Sequence, residues 1–550
     1  MKMEHPVTAG TPGRVESLAV AVGDAVEAGD LLAVLADAEA AEDAECAGAD
    51  DPDRIRPDLA EVRDRRRTGL DEGRAAAVAR RRDAGRRTAR ENIADLLDPD
   101  SFVEYGALTL AAQRARRSVD ELVAKTPADG LVTGTGTVGG RPVAVMSYDY
   151  TVLAGTQGVH NHHKTDRLFR LAGREHLPVV VFAEGGGGRP GDTDTSAVAQ
   201  LDVPTFRLFA RLRGRVPTVA VVAGYCFAGN AALAGACDLI VATEGSSLGM
   251  GGPAMISGGG LGVVAPSDVG PMPMQWANGV VDLLVPDEAA AVAEARRYLL
   301  HVGGDPVPGE HADQRALRHA VPENRVRAYD VRRVLDVLFD TGSVVELRGG
   351  FGAGIVTAFA RLDGLAVGVL ANDPEHLGGA IDGDAADKAT AFLQLCEARG
   401  LPVVSLCDTP GFMVGPDAER TATVRRFGAM FVAGAQLTVP LVAVVLRKGY
   451  GLGAMAMAGG DLHAPVLTVA WPTGEFGGMG LEGAVRLGYR DELAAIDDAD
   501  ARQVRYDELV AGYYERGKAL SVATVFEIDD VIDPADTRTL LTRALGNRGR

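Results

Sequence analysis

Two stretches of this chain are written in one grammar. Lys448-Gly-Tyr-Gly-Leu-Gly-Ala454 and the Ala/Gly/Met run to Gly460 follow the apolar run Val439-Pro-Leu-Val-Ala-Val-Val445. Residues 216–238 read Val-Pro-Thr-Val-Ala-Val-Val, then Ala-Gly-Tyr-Cys-Phe-Ala-Gly-Asn-Ala-Ala-Leu-Ala-Gly-Ala-Cys-Asp, displaced by 223 to 224 positions (439 − 216 and 453 − 229). Leu177-Pro-Val-Val180 matches Leu401-Pro-Val-Val404 upstream, and Gly249-Met-Gly-Gly252 echoes Gly477-Gly-Met-Gly480 downstream. The chain is an internal duplication, so its fold must be one that two copies can build side by side.

Each copy spells a buried strand, a glycine turn and a helix made almost wholly of Ala, Gly and Leu. Gly229 and Gly453 stand at the turns, where the absence of a side chain lets a ligand approach the backbone and the first unpaired helical N–H groups point outward. Two such amides backed by the positive end of a helix dipole make an oxyanion hole. Tight packing of a helix on a sheet selects the same residues, so a single copy leaves both readings open.

Around these turns, Phe227-Ala-Gly-Asn-Ala-Ala-Leu233 and Arg447-Lys-Gly-Tyr-Gly-Leu-Gly-Ala454 resemble the carboxyltransferase component of biotin-dependent acyl-CoA carboxylases. The single-chain carboxylases of longer acyl-CoAs are most similar, through Tyr150-Thr-Val-Leu-Ala-Gly-Thr-Gln-Gly158, Glu184-Gly-Gly-Gly-Gly-Arg-Pro-Gly191, Cys407-Asp-Thr-Pro-Gly-Phe-Met-Val-Gly415 and Trp471-Pro-Thr-Gly-Glu-Phe-Gly-Gly-Met-Gly480. The likeness runs from about Arg86 to the C-terminus. It implies an α/β chain with two tandem crotonase-like ββα superhelix domains, residues 126–300 and 349–550, joined by a connector over 301–348.

That resemblance also implies the chemistry. Carboxybiotin releases CO2 beside an acyl-CoA, the freed biotin nitrogen takes the α-proton, and the enolate attacks CO2. By resemblance the amides of Gly229 and Asn230 face the thioester oxygen, and those of Gly453 and Ala454 face the biotin ureido oxygen. Asn230 departs from the Gly-Gly common in the wider family, but a backbone amide survives that change. Ala228, Gly251, Gly252, Met455 and Ala456 are the expected substrate-binding positions, with Met455 and Ala456 forming an apolar wall of the acyl pocket. Implied partners are an acyl-CoA, a biotin carboxylase, a biotin carrier and further copies of the chain, up to a hexamer. Two other readings stay open: a biotin-independent decarboxylase of malonyl-type thioesters, and a noncatalytic scaffold.

The N-terminal Met1-Lys-Met-Glu-His5, Thr8-Ala-Gly-Thr-Pro-Gly-Arg-Val15 and Val22-Gly-Asp-Ala-Val-Glu-Ala-Gly-Asp30 resemble a biotinyl carrier domain that begins at its modification site, Lys2. Only the second half of such a barrel is spelled out over residues 1–36. Half a barrel leaves strand edges unpaired and too little core to stand alone, which makes a vestige or a fragment the competing reading. An acidic linker composition follows over 37–60, then an Arg-rich helical pattern over 61–125, with Arg63-Asp-Arg-Arg-Arg67 and Arg80-Arg-Arg82. Interleaved acids and the lack of alternating aromatics point to a solvated helix or a subunit contact, not to nucleic acid.

Composition narrows the classes further. A net charge of −19 disfavours nucleic acid as the main partner, and five cysteines without a Cys-x-x-Cys pair suit a reducing cytoplasm and no zinc ribbon. No uninterrupted apolar run reaches the length of a membrane span, so no membrane partner is expected. His160, His162 and His163 lie without a carboxylate or thiol at ligand spacing, so no metal is expected there. Glu184, Asp408 and Asp417 are carboxylates that an acid–base pair could use, but nothing in the sequence assigns them that role and turn or cap duty is the better account.

Overall fold

The computed structural model describes residues 6–37, 52–196, 199 and 201–546; Lys2 and the acidic stretch 38–51 lie outside them. Contacts divide the chain into two units, residues 1–65 and 66–550. In the first, β1 (Gly13–Leu18) pairs antiparallel with β2 (Ala33–Asp37), with a bulge between Val15 and Ser17. Every residue of β1 and most of β2 is solvent-exposed, as half of a barrel requires.

The second unit repeats one topology. Its first half carries β3 (Val103–Tyr105), β4 (Leu131–Val138), β5 (Arg141–Tyr148), β6 (Val179–Phe182), β7 (Thr218–Val222), β8 (Tyr225–Phe227), β9 (Leu239–Thr243), β10 (Ser247–Gly249) and β11 (Leu283–Val285). Seven of these form a sheet in the order β11-β9-β7-β6-β5-β4-β3, while β8 and β10 pair with each other. Its second half carries β12 (Val345–Leu347), β13 (Ile355–Leu362), β14 (Leu365–Asn372), β15 (Val403–Thr409), β16 (Leu441–Tyr450), β17 (Leu467–Ala470), β18 (Glu475–Gly477) and β19 (Asp530–Val531). These make an eight-stranded sheet, seven strands in the order β12-β13-β14-β15-β16-β17-β19 and β18 paired off that path with the far end of β16. In each sheet an antiparallel hairpin leads into parallel strands, and the parallel strands are near-continuous apolar runs because helices cover them.

The duplication is visible residue by residue. The hairpins turn on Gly139-Gly140 and Asp363-Gly364, all four at positive φ, which two-residue hairpin turns that match the strand twist demand. The helix Val159–Glu175 reappears as Gly383–Arg399, 224 positions on and equally long. Leu153 and Leu377, also 224 apart, both sit at φ 49° in short 3-10 turns.

The two halves share one core. Phe359 of β13 packs against Tyr298 and Phe392, ring centroids 5.6 and 6.0 Å apart, so the helix Glu288–Gly303 is clamped between both sheets. Within the connector 301–348, Leu317, Val334, Leu335 and Leu338 are buried against β13 and β15 and so belong to the second half's core. The Arg-rich segment likewise differs from a solvated face. Arg74, Arg81 and Arg90 are each less than a fifth exposed at the side chain and paired with Asp149, Glu184 and Glu104 of the first half.

Candidate active site

β7, fully buried, leads through β8 into the first glycine turn, and the chain leaves it as the helix Gly229–Gly235. Between them Ala228 caps the helix at φ 49°, ψ −118°, a conformation that a Cβ strains. Its N–H donates to the Gly249 carbonyl (3.1 Å) and its own carbonyl accepts from Ala232 (2.8 Å). The helical ladder therefore starts at Ala232, which leaves the N–H groups of Gly229 and Asn230 without a backbone acceptor. A Cβ on Gly229 would overlap the side-chain oxygen of Gln157, itself anchored by its Nε2 to the Tyr148 hydroxyl (2.8 Å).

Asn230 adds what a glycine there could not. Its fully buried Oδ1 accepts from the Gly187 N–H (3.1 Å) and its Nδ2 donates to the Gly155 carbonyl (3.4 Å). One amide side chain thus ties the 185–188 glycine loop and the 153–155 turn to the start of the helix. Gly252 caps the short helix Pro253–Gly258, and a Cβ there would press on the Phe227 ring at 3.2 Å; Gly251 precedes it in more open space. The structure brings Ala228, Gly229, Asn230 and Gly252 together around one turn.

The second turn uses the same plan with a shifted register. Tyr450 ends β16 and caps the helix Gly451–Met457, so the groups without an intrahelical acceptor are Gly451, Leu452 and Gly453. The Ala454 N–H makes no hydrogen bond to the Tyr450 carbonyl, unlike the Ala232 N–H at the first turn, so it too is without a backbone acceptor among the described residues. A Cβ on Gly453 would meet Gly411 Cα at 2.7 Å and Gly411 C at 2.8 Å, so glycine there admits close backbone packing. Tyr450 is held by its hydroxyl, which donates to Glu475 (2.9 Å), and Glu475 in turn is paired with Arg325 (2.6 Å).

Met455 and Ala456 part company. Met455 is 37% exposed and lines a cavity of about 520 Å³ with Gly451, Ala454, Gly478 and Met479. Ala456, one helical step of roughly 100° away, is 1% exposed and packed in the shared core, so it does not form the acyl wall expected of it. All residues lining this cavity come from the second half, and the first turn contributes none.

The remaining candidates resolve into structural work. Glu184 lies in a bidentate pair with Arg81, Arg81 Nη1 donating to Oε1 at 2.9 Å, and burial raises its pKa. Asp408, fully buried, accepts from Arg447 Nε and the Lys448 backbone, each at 3.1 Å, and pairs with Lys448 Nζ at 3.1 Å. Asp417 is exposed in the first turn of the short helix Pro416–Glu419. His160 Nδ1 and His162 Nδ1 are hydrogen-bonded to the Leu110 carbonyl and the Thr205 hydroxyl, each at 2.8 Å. Among the described residues no group of three His, Cys, Asp or Glu could hold a metal ion. Burial pushes up the thiols of Cys226, Cys237, Cys396 and Cys407, so none is a nucleophile near neutral pH. What the arrangement offers a substrate is backbone donors, small residues and apolar walls. Nothing local in the sequence marks Gln157, Arg325 or Glu475: Gln157 and Glu475 lie inside family motifs with no distinguishing neighbour, and Arg325 lies outside them.

The carboxyl transferase domain family matches residues 80–547, and the biotin-requiring enzyme family matches residues 1–35. The chain is 34% identical over 484 residues to the methylmalonyl-CoA carboxyltransferase 12S subunit of Propionibacterium freudenreichii subsp. shermanii, covering 85% of this chain and 90% of that one. It is similar to the structure of a single-chain, multi-domain long-chain acyl-CoA carboxylase, with 62% identity and a TM-score of 0.84. That match covers 90% of this chain but only 50% of the carboxylase, so this chain spans half the length of that relative. The transcarboxylase 12S crystal structure, described as a hexamer assembly with hydrolysed methylmalonyl-CoA bound, matches at a TM-score of 0.80 and 31% identity, covering 89% of this chain and 95% of that one. Among the described residues no helix is long and apolar enough to cross a membrane.

Proposed function

Because this chain belongs to the carboxyl transferase family and is an acyl-CoA carboxyltransferase, we propose that it moves CO2 between carboxybiotin and the α-carbon of an acyl-CoA by holding an enolate and a biotin ring at its two glycine turns. The observation that carries this reading is the repeated helix start: two sets of unpaired N–H groups, each beside glycine loops that a side chain would fill.

In this reading the Gly229 and Asn230 amides polarise the thioester carbonyl and stabilise the enolate oxygen. Loss of one such donor typically costs about 2.7–4 kcal/mol of barrier. Asn230 fixes the donors by tying two loops to them, and Gln157 occupies the space beside Gly229. At the second turn the Gly453 and Ala454 amides are the donors, neither held by a backbone acceptor among the described residues. The cavity there is lined by Gly451, Gly478 and Met455, which suits a space shared by the acyl chain, against Met455, and a fused ring carrying a urea oxygen: small residues leave a slot beside backbone donors. Carboxybiotin, when bound, supplies the CO2 and the nitrogen that takes the α-proton. No acid or base from this chain is needed, in keeping with the structural pairing of Glu184 and Asp408.

Each turn serves one half of the reaction, and the cavity at the second is lined by the second half alone. We therefore place the complete site between the first half (126–300) of one protomer and the second half (349–550) of another, within a homo-oligomer that reaches the hexamer named for transcarboxylase 12S. An acyl-CoA, a biotin carrier and a biotin carboxylase complete the set of partners. Residues 1–36 are the latter half of a carrier domain, with Lys2 as the lysine it would present. Subunit mixing tests the arrangement. Gly229→Val protomers and Gly453→Val protomers, each inactive alone, should regain about a quarter of parental activity once exchanged, because some sites then carry neither change. Mixed oligomers as inactive as their parents would overturn it.

A further inference from the structure

Behind the first oxyanion helix, at its C-terminal end, lies a cavity of about 400 Å³ between the two halves of the chain. Gly235 and Asp238 wall it from the first half, and Arg348 and Lys388 from the second. It shares no lining residue with either glycine turn.

Its polar groups are unequally satisfied. The two carboxylates on its wall are already engaged: Asp282 accepts from Arg348 Nε (2.7 Å) and the Ile240 N–H (2.8 Å), and Asp238 accepts from the Thr218 N–H (2.9 Å). The donors are the reverse. Lys388 is 1% exposed, lines the cavity, and forms no hydrogen bond or ion pair among the described residues. Neither Nη of Arg348 has a described partner, nor does the guanidinium of Arg213 at the rim.

The duplication supplies an internal control. Lys164 occupies the equivalent place in the first half, 224 positions earlier, and its ammonium donates to the carbonyls of Ala128 (2.9 Å) and Leu131. There the charge is absorbed by the backbone. At Lys388 no hydrogen bond does this: Glu346 and Asp373 act on the ammonium only from a distance, and its donors stay free for a ligand. Three cationic groups with free donors converge on one space, whose remaining wall includes Leu347, Phe392 and Leu395.

We propose that this cavity binds a small organic anion, whose carboxylate or phosphate is held by Lys388, Arg348 and Arg213 and whose short apolar body lies along Phe392 and Leu395. Charge-assisted hydrogen bonds of this kind are the strong ones, and the volume sits at the small end of ligand pockets. The inference does not depend on how the glycine turns act, and its test does not use turnover.

The full-length protein is saturated with CoA to occupy the substrate site, then titrated with succinate or inorganic phosphate by calorimetry at constant chloride-balanced ionic strength. Saturable binding of either probe is expected, and which one binds distinguishes a carboxylate site from a phosphate site. Lys388→Met should weaken it at least tenfold, and Arg213→Gln, at an exposed position, several-fold. If Lys388→Met does not assemble, Arg213→Gln carries the test. No saturable binding of either probe, or binding that both variants retain unchanged, would overturn the proposal.

Discussion

Replacing Gly453 by alanine probes the second turn with a single methyl group. That methyl would stand 2.7 Å from Gly411 Cα, 2.8 Å from Gly411 C and 3.0 Å from the Phe412 nitrogen. All three are backbone atoms, so no side chain can swing aside; restoring ordinary contact near 3.5 Å requires the helix start and the 411–412 loop to part by roughly 0.7 Å. Overpacking of this kind costs about 1–3 kcal/mol of stability. A donor displaced by that amount no longer points at its oxyanion, and its loss corresponds to about a 10²–10³-fold fall in kcat. The first turn is untouched, so KM for the acyl-CoA should stay within about threefold. The assay is propionyl-CoA formation from methylmalonyl-CoA with free biotin as acceptor, alongside thermal unfolding. A kcat within twofold of the parent would refute the assignment of Gly453.

Asn230→Ala leaves the Gly187 N–H and the Gly155 carbonyl without their partners in a buried site, which predicts a loss of about 1–3 kcal/mol in urea unfolding and a larger fall in kcat than in KM; unchanged stability would show that these bonds are not made. Ala456→Ile should destabilise the protein by about 1–3 kcal/mol and leave the ratio of kcat/KM between propionyl- and longer acyl-CoAs unaltered, since Ala456 is in the core. Met455→Ala, at the cavity wall, should shift that ratio toward longer chains; the opposite pattern between the two variants would return the wall to Ala456. Burial, ahead of nearby charges, lowers the Lys388 pKa from 10.5 to about 8. Between those values the unfolded chain binds the extra proton, so this group's contribution to stability rises with pH from about 8 to 10.5 and is flat below. Unfolding free energy of the parent minus that of Lys388→Met should therefore climb across this window, and a constant difference would contradict the burial of a charged lysine.

Much of this architecture could be read from the sequence because the strands are fully buried on both faces. Val179–Phe182 is an unbroken apolar run and a strand to the residue, and the apolar runs Val403–Leu406, Val442–Leu446 and Ile355–Phe359 lie inside longer strands. β4 is harder to read because Leu-Val-Thr-Gly-Thr-Gly-Thr-Val alternates threonine with glycine, and its glycines are there to admit the side chains of Phe102 and Leu97. The glycine turns were legible through their repetition. The parts that stayed hidden are long-range: Arg81 reaching Glu184 across 103 residues, Arg325 reaching Glu475, and the failure of Lys388 to find the carbonyls that Lys164 finds. Ala456 is a core residue while its neighbour Met455 lines the cavity, because a helix turns sequence neighbours to different faces.

The central claim is that the chain passes a carboxyl group between an acyl-CoA and biotin and does not simply release it. Methylmalonyl-CoA labelled with 13C in its free carboxyl, incubated with the purified protein and free biotin, decides this by 13C NMR. The account predicts that label appears on the biotin ureido nitrogen as propionyl-CoA forms, and that propionyl-CoA formation falls at least tenfold when biotin is left out. Propionyl-CoA formed at the same rate without biotin, with the label found only in bicarbonate, would contradict it and identify a biotin-independent decarboxylase.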